Sequence, residues 1–193
     1  MKPHILLIGG GGHCKSVIDV IEAEGTFTIG GIIDQKEFIG NKVLGYKIIG
    51  CDEDLENLFQ QFEYAIVAVG QIESPGLRIK LFNRLTSIGF KMPPIISPMA
   101  YVSKHSTVES GTIVMHNALI NANSIVGKNC IINTKALIEH DSVIGDHCHI
   151  STGAIINGGT IVNQGTFFGS NAVSKEYATI IERSFIKAGS IVK

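Results

Sequence analysis

The sequence predicts two successive folds: a small α/β unit, then a three-sided solenoid of short parallel strands running to the last residue. Three observations carry this. From Ile96 onward one pattern repeats every six residues without a slip. Ahead of it, an apolar run, a glycine cluster, a helical stripe, a second apolar run and an acid follow one another between Ile5 and Asp34. Between the two, Lys91-Met92-Pro93-Pro94 interrupts regular structure, because proline lacks a backbone donor and restricts the residue before it. The expected domains are residues 1–92 and 93–193.

The hexads hold two rows in phase. First positions are Ile96, Val102, Val108, Val114, Ile120, Val126, Ile132, Ile138, Ile144, Ile150, Ile156, Val162, Phe168, Ser174, Ile180, Ile186 and Val192; only Ser174 breaks the apolar row. The fifth positions, from Ala100 and Ser106 through Cys130 and Cys148 to Ser190, are all small. A period of six matches neither a helix stripe nor a single alternating strand. It fits a chain that runs extended, turns a corner and repeats. Three sides make a triangular prism with eighteen residues per coil, one large aliphatic side chain per side inside it and a small residue where the corner crowds. Successive coils then pair their backbones at about 4.7–4.9 Å. No coil can bury its apolar side alone, so stability comes from stacking.

Composition excludes several partners. Formal net charge is −1 and no block of like charge occurs, so neither nucleic acid nor an anionic membrane is expected as a partner. The opening Met1-Lys2-Pro3-His4 and the four residues Ile5–Ile8 are too short for a signal peptide or a membrane span, which points to a cytoplasmic protein. Four cysteines show neither CxxC spacing nor a zinc-like grouping. Cys130 and Cys148 lie one coil apart and are expected inside the prism as small apolar filler.

In the first half, Ile5–Ile8 reads as a strand ending in Gly9-Gly10-Gly11-Gly12-His13. Val17, Ile18, Val20 and Ile21 form a helical stripe that ends near Gly25, and Ile29–Ile33 is a strand ending at Asp34. This is the opening of a Rossmann-like βαβ unit, whose glycines let backbone approach a diphosphate at a helix amino terminus. The full dinucleotide fingerprint wants glycine at position 14, where Cys14 stands, and glycine turns also follow strands for structural reasons. Asp34 is placed for a ribose or base contact, or for a helix cap. Ala65–Val69 is a further strand ending at Gly70. Leu77–Leu85 reads as an amphipathic helix whose Arg78 either reaches a phosphate or is solvated. The unit is about half of a six-stranded dinucleotide domain.

Within the prism the polar interruptions carry the chemistry. His140 is third in its hexad, a position expected to point outward, and its neighbours one coil away are the small Ala122 and Gly158. A histidine over a shallow groove with an adjacent acid, Asp141, is a suitable general base; a solvated surface histidine is the alternative. His149 stacks between Ile131 and Phe167, and His147 between Asn129 and Gly165. His105 and His116 stand without a supporting cluster. No histidine pair has the setting of a metal site, so no metal is expected.

Together the two halves resemble the bacterial sugar acyltransferases with hexapeptide repeats, namely the N-acetyltransferases of nucleotide-linked 4-amino sugars and the related sialic acid O-acetyltransferases. The residues that carry the resemblance are Gly9–His13, Ile33-Asp34, Ala68–Gly70, Ile132–Thr134, Ile138–Asp141 and His149–Ser151. The resemblance implies that the prism is a left-handed parallel β-helix. It implies acetyl-CoA as co-substrate, His140 as general base tuned by Asp141, and His149 and Gly158 bordering the thioester. It places Asn133 near the sugar acceptor, Gly169 and Ser170 along the coenzyme groove, and Gly11, Gly12, His13, Asp34 and Gly70 around a uridine diphosphate. It also implies a homotrimer with each active site between two prisms. Members usually continue into a short Gly-x-Pro-Ala-Lys tail; this sequence stops at Ile191-Val192-Lys193, leaving coenzyme contacts from such a tail outside it.

The expected reaction is therefore direct acetyl transfer in a ternary complex, from acetyl-CoA to the amino group of a UDP-linked 4-amino-4,6-dideoxy sugar. The Gly158 N–H is expected to stabilise the oxyanion, and no cysteine is needed as nucleophile. O-acetylation of a nine-carbon sialic-type sugar or its CMP form is the alternative acceptor chemistry. A non-catalytic nucleotide-sugar scaffold is the alternative of another class.

Overall fold

The computed structural model describes residues 2–193. It divides into two compact units. One runs to Gly70 and resumes over Leu77–Pro93; the other comprises Gln71–Gly76 and Pro94–Lys193.

The first unit is built on β1 (His4–Ile8), α1 (Gly12–Glu24), β2 (Thr28–Ile33), β3 (Lys42–Val43), β4 (Tyr46–Gly50), α2 (Leu55–Leu58), β5 (Tyr64–Val67) and α3 (Gly76–Ile88). The strand order is β3-β4-β2-β1-β5, and every pairing is parallel except the β3–β4 hairpin. Ile5, Leu6, Leu7 and Ile8 are all buried, as a central parallel strand covered on both faces requires. Helix α1 buries Cys14, Val17, Ile18, Val20 and Ile21. It ends at Gly25, whose left-handed conformation lets its N–H reach the Ile21 carbonyl.

Two features depart from the sequence reading. The strand expected over Ala65–Val69 stops at Val67. Beyond it the Arg78 guanidinium donates to the carbonyls of Val67, at 3.1 Å, and Val69, at 2.5 Å. Arg78 is therefore neither solvated nor at the surface; it is 1% exposed and holds the end of β5 from inside. The β3–β4 hairpin is the second departure. Its two-residue loop, Leu44-Gly45, has φ of 46° and 91°, the primed turn that suits strand twist.

The second unit is the predicted prism, a left-handed β-helix. Each two-residue strand comprises the sixth and first positions of neighbouring hexads, and the strands form three parallel sheets of six, five and six. Face I carries Ile131–Ile132, His149–Ile150 and Phe167–Phe168; face II carries Leu137–Ile138 and Ile155–Ile156; face III carries Val143–Ile144 and Ile161–Val162. Registers such as Ile131↔His149 and Leu137↔Ile155 fix the coil at eighteen residues. The core is the two hexad rows together: Val114, Ile120, Val126, Ile132, Ile138, Ile144, Ile150, Ile156, Val162 and Phe168 with Ala118, Cys130, Ala136, Cys148, Ala154 and Ala172.

The corner is made by the fourth position. Asn117, Asn123, Asn129, Lys135, Asp141, His147, Asn171, Tyr177 and Arg183 have φ between 53° and 61°, and Gly111, Gly153, Gly159, Gly165 and Gly189 complete the row from position 111 onward. This left-handed conformation is one that glycine and asparagine tolerate best. All four cysteines are buried free thiols, and Cys130 and Cys148 lie inside the prism. Because Ile150 is fully buried in the prism core, Ile150→Ala should destabilise the protein by about 2–5 kcal/mol, seen as a lower midpoint in thermal or urea denaturation.

Candidate active site

The corner between faces II and III holds His140 and Asp141. Leu137–Ile138 runs into Glu139, His140 and Asp141, and Asp141 takes the left-handed conformation of its row at φ 61°. Its carboxylate lies against the preceding ring, with His140 Nδ1 2.7 Å from Asp141 Oδ2. The other carboxylate oxygen accepts Asn123 Nδ2 at 2.6 Å from one coil earlier. These two contacts, Asn123 first and His140 second, hold the Asp141 carboxyl below its ordinary value. An ionised carboxylate only accepts, so in the neutral ring Nδ1 carries the proton and Nε2 is the bare nitrogen.

Gly158, one coil later, supplies the floor. A Cβ placed there would lie 2.9 Å from His140 Cε1 and 3.0 Å from Nε2, so the basic edge of the ring rests directly over this glycine. The backbones are tied by Asp141 N–H to the Ala122 carbonyl at 3.2 Å and Gly159 N–H to the His140 carbonyl at 3.0 Å. A further pair holds the backbone that carries the ring: Asn121 Nδ2 donates to Glu139 Oε2 at 2.7 Å, and the same oxygen accepts the His140 N–H at 3.4 Å. His140 and Asp141 keep side-chain exposures of 56% and 53%, so the imidazole is reachable while its orientation is fixed. Such a ring can take a proton at Nε2 from a group held over Gly158.

A different corner, between faces I and II, gathers Asn133, His149, Ser151, Gly169 and Ser170. His149 is buried, and its Nδ1 lies 2.5 Å from the Gln71 carbonyl. A carbonyl only accepts, so the proton sits on Nδ1 and Nε2 receives Asn133 Nδ2 at 3.0 Å. Asn133 Oδ1 in turn takes the Thr134 N–H at 2.8 Å. Phe167 packs edge-on against His149 and stacks on Phe185. Ser151 and Ser170 pair through their hydroxyls at 2.9 Å. The structure thus brings His140, Asp141 and Gly158 together, and separately Asn133 with His149 and Gly169 with Ser170, with face II lying between the two corners of one chain. Among the remaining histidines, His147 contacts Asn129 at 3.0 Å and His116 contacts Ser97 Oγ at 2.6 Å.

The first unit has its own cavity of 770 Å³, within the range of small-ligand sites. It is lined by Gly9, Asp34, Gln35, Lys36, Glu37, Cys51 and Asp52 to Asp54, among others. Asp34 follows the carboxyl end of β2, and its carboxylate is partly engaged, accepting the Gly10 N–H at 2.7 Å and the Gln35 N–H at 2.8 Å. Gly9 must be glycine: its φ is 105° and a Cβ would strike Val69. Gly11 caps α1 and Gly12 and His13 begin it, with Gly70 packed on the His13 Cβ at 3.5 Å from where its own would stand. Cys14 faces the core; burial first, and the Asp34 charge second, push its thiol up to about 12. The Cys148 thiol is also raised, by its contact with Cys130 and by burial. Both are buried. Among the described residues no cluster of three or more His, Cys, Asp or Glu could hold a metal, and no helix is long and apolar enough to cross a membrane.

The PglD N-terminal domain family matches residues 4–85. No curated protein matches significantly. Among solved structures, the acetyltransferase domain of PglB from Neisseria gonorrhoeae is 31% identical, with 100% of this chain and 92% of that chain covered and a TM-score of 0.89. The same domain in complex with acetyl coenzyme A aligns at 29% identity, 100% and 93% coverage and a TM-score of 0.88. A mutant of perosamine N-acetyltransferase from Caulobacter crescentus, in complex with CoA and GDP-perosamine, aligns at 28% identity, 97% and 92% coverage and a TM-score of 0.70. The chain belongs to the bacterial sugar acyltransferases with hexapeptide repeats, within their acetyl-CoA-dependent sugar N-acetyltransferases.

Removing the amide that grips Asp141 tests the electrostatics. In Asn123→Ala the Asp141 carboxyl should titrate at higher pH than in the wild type, as followed by carbon-detected NMR of the carboxyl. Gly158→Ala should displace the imidazole, since the conformation there admits alanine but the space does not, and a crystal structure of that variant should show the His140 ring moved.

Proposed function

We propose that this protein transfers the acetyl group of acetyl-CoA to the amine of a UDP-linked 4-amino-4,6-dideoxy sugar, with His140 as general base. The single observation that carries the reading is the His140–Asp141–Gly158 constellation: an exposed, oriented imidazole whose bare Nε2 edge lies beside Gly158, where no side chain fills the space. His140 Nε2 takes a proton from the attacking amine as nitrogen adds to the thioester carbonyl, Asp141 accepting at Nδ1 and favouring the imidazolium that forms. The Gly158 N–H donates to the oxygen as it becomes negative. Collapse expels the CoA thiolate, which takes the proton held on His140 Nε2 and returns the imidazole to its neutral form. No acyl-enzyme is formed.

The coenzyme runs along the prism past Gly169 and Ser170, with His149 bordering the thioester and Asn133 near the acceptor. The nucleotide occupies the cavity of the first unit, with Asp34 facing the ribose or base and Gly11, Gly12, His13 and Gly70 near the diphosphate, where the amino terminus of α1 favours negative charge. Support comes from the acetyl-CoA-bound Neisseria domain and the Caulobacter enzyme with GDP-perosamine. The assembly is a homotrimer with each active site shared between two prisms; exposed Ile125 and Ile161 on face III give it apolar surface to bury. Four free thiols suit the cytoplasm.

Replacing the base is the direct test. His140→Ala should lose most turnover, about a hundredfold or more for a positioned general base, while binding CoA as the wild type does in calorimetry. Wild-type acetylation of a UDP-4-amino sugar, with none of free sialic acid or its CMP form, is the expected selectivity; transfer to a sialic-type hydroxyl instead would overturn the choice of acceptor.

A further inference from the structure

The one residue that breaks the apolar row, Ser174, lies in the prism interior at 1% exposure, one coil beyond Ile156 and next to the backbone that carries Gly158. Its hydroxyl is fully used. In the regular ladder the second residue of a hexad donates its N–H to the first-position carbonyl one coil on, as Glu139 does to Ile156 and Asn163 does to Ile180. Asn157 does not. Its N–H goes to Ser174 Oγ at 2.9 Å, and the ladder pairing between Ile156 and Ser174 is missing although Ile155 still pairs with Val173. The freed Ser174 carbonyl instead accepts the Asn157 carboxamide at 2.6 Å. At the next hexad, where the first position is Ile180, one carbonyl serves both the N–H and the carboxamide of Asn163.

The protons along this path run one way. Thr160 Oγ1 donates to the Lys175 carbonyl at 2.9 Å, so in its 3.1 Å contact with Ser174 it accepts. Ser174 therefore donates to Thr160 and accepts from Asn157. The next peptide plane is gripped as well: the Asn157 carbonyl accepts the Ser142 hydroxyl at 3.1 Å and the Thr160 N–H at 3.2 Å. A peptide's C=O and N–H point in opposite directions. Anchoring that carbonyl within the unit turns the N–H of the same peptide, that of Gly158, to the other side. Side-chain caps take the equivalent amides of Ala122 and Thr134, through Asn121 and Asn133; the Asn157 carboxamide is occupied by Ser174 instead.

We propose that Ser174 is a positioning residue of the transfer reaction: its buried hydroxyl draws the Asn157 N–H out of the ladder and so sets the direction of the Gly158 N–H beside His140. This rests on the reading of Gly158 as oxyanion donor, and it gives the break in the hexad row a function that packing does not. Valine at this position restores the apolar row and removes both the acceptor for Asn157 and the donor to Thr160; threonine keeps the hydroxyl.

The test is steady-state kinetics of the full chain with acetyl-CoA and a UDP-4-amino-4,6-dideoxy sugar, normalised to CoA-binding sites. Ser174→Val should lower kcat by about tenfold or more, as a misaimed oxyanion donor does, with both KM values within about twofold of the wild type. Ser174→Thr should stay within about threefold of the wild-type kcat. Should the valine variant fail to bind CoA, Ser174→Ala carries the same expectation. A Ser174→Val kcat within twofold of the wild type, a loss confined to KM, or a threonine variant as slow as the valine one would each overturn the proposal. His140→Ala in parallel separates the failures: if it is inactive while Ser174→Val is fully active, the reading of the site stands and the role of Ser174 falls. If wild-type transfer does not depend on His140, the reading itself falls.

Discussion

Everything in the second unit depends on one constraint, the eighteen-residue register that sets each residue against its counterparts in the coils before and after it. Backbone hydrogen bonds between successive coils enforce it along nearly the whole prism, and an aliphatic row that must face inward forbids slippage. A shift of one residue would turn the apolar row out to solvent. That rigidity is what makes the site possible. Asn123, Asp141 and Gly159 share one column, and Ala122, His140 and Gly158 share the next, so a carboxylate finds its amide and an imidazole finds its glycine with no loop to order.

The register also explains how a surface histidine becomes chemically defined. Nothing encloses His140; its exposure is that of an ordinary polar residue. Its tautomer is nonetheless fixed, because the left-handed conformation of Asp141 lays a carboxylate on Nδ1 and Asn123 holds that carboxylate in place from the coil before. His149 is fixed by the opposite means, burial against the Gln71 carbonyl and the Asn133 amide. Two histidines of one prism are thus held with bare Nε2 atoms, one open to solvent and one already occupied.

Much of this was legible in the residues. The hexad rows predicted the prism, its coil length and its interior, and the glycine turn with the acid after the second strand predicted the βαβ opening. What escaped reading has physical reasons. The Leu44-Gly45 hairpin lacks the Asn-Gly or Asp-Gly signature that announces a primed turn, because leucine occupies a position that disfavours it. Arg78 sits on a helix that looks amphipathic, and nothing in its neighbours signals that its guanidinium turns inward to carbonyls. Gln71–Gly76 carries no hexad, yet Gln71 reaches the His147 and His149 backbone and ring. Asn123 was visible only to a reader who stepped one coil back from Asp141 rather than from His140. The corner row at the fourth position, rich in asparagine and glycine, was an available signal for the left-handed turns.

The central claim is that amine, thioester and imidazole meet over Gly158. A crystal structure of His140→Ala with acetyl-CoA and a UDP-4-amino-4,6-dideoxy sugar measures it most directly. The account predicts the thioester oxygen within hydrogen-bonding distance of the Gly158 N–H, and the amine where the missing Nε2 would reach it. A thioester bound away from Gly158, or an amine beyond the reach of position 140, would contradict it.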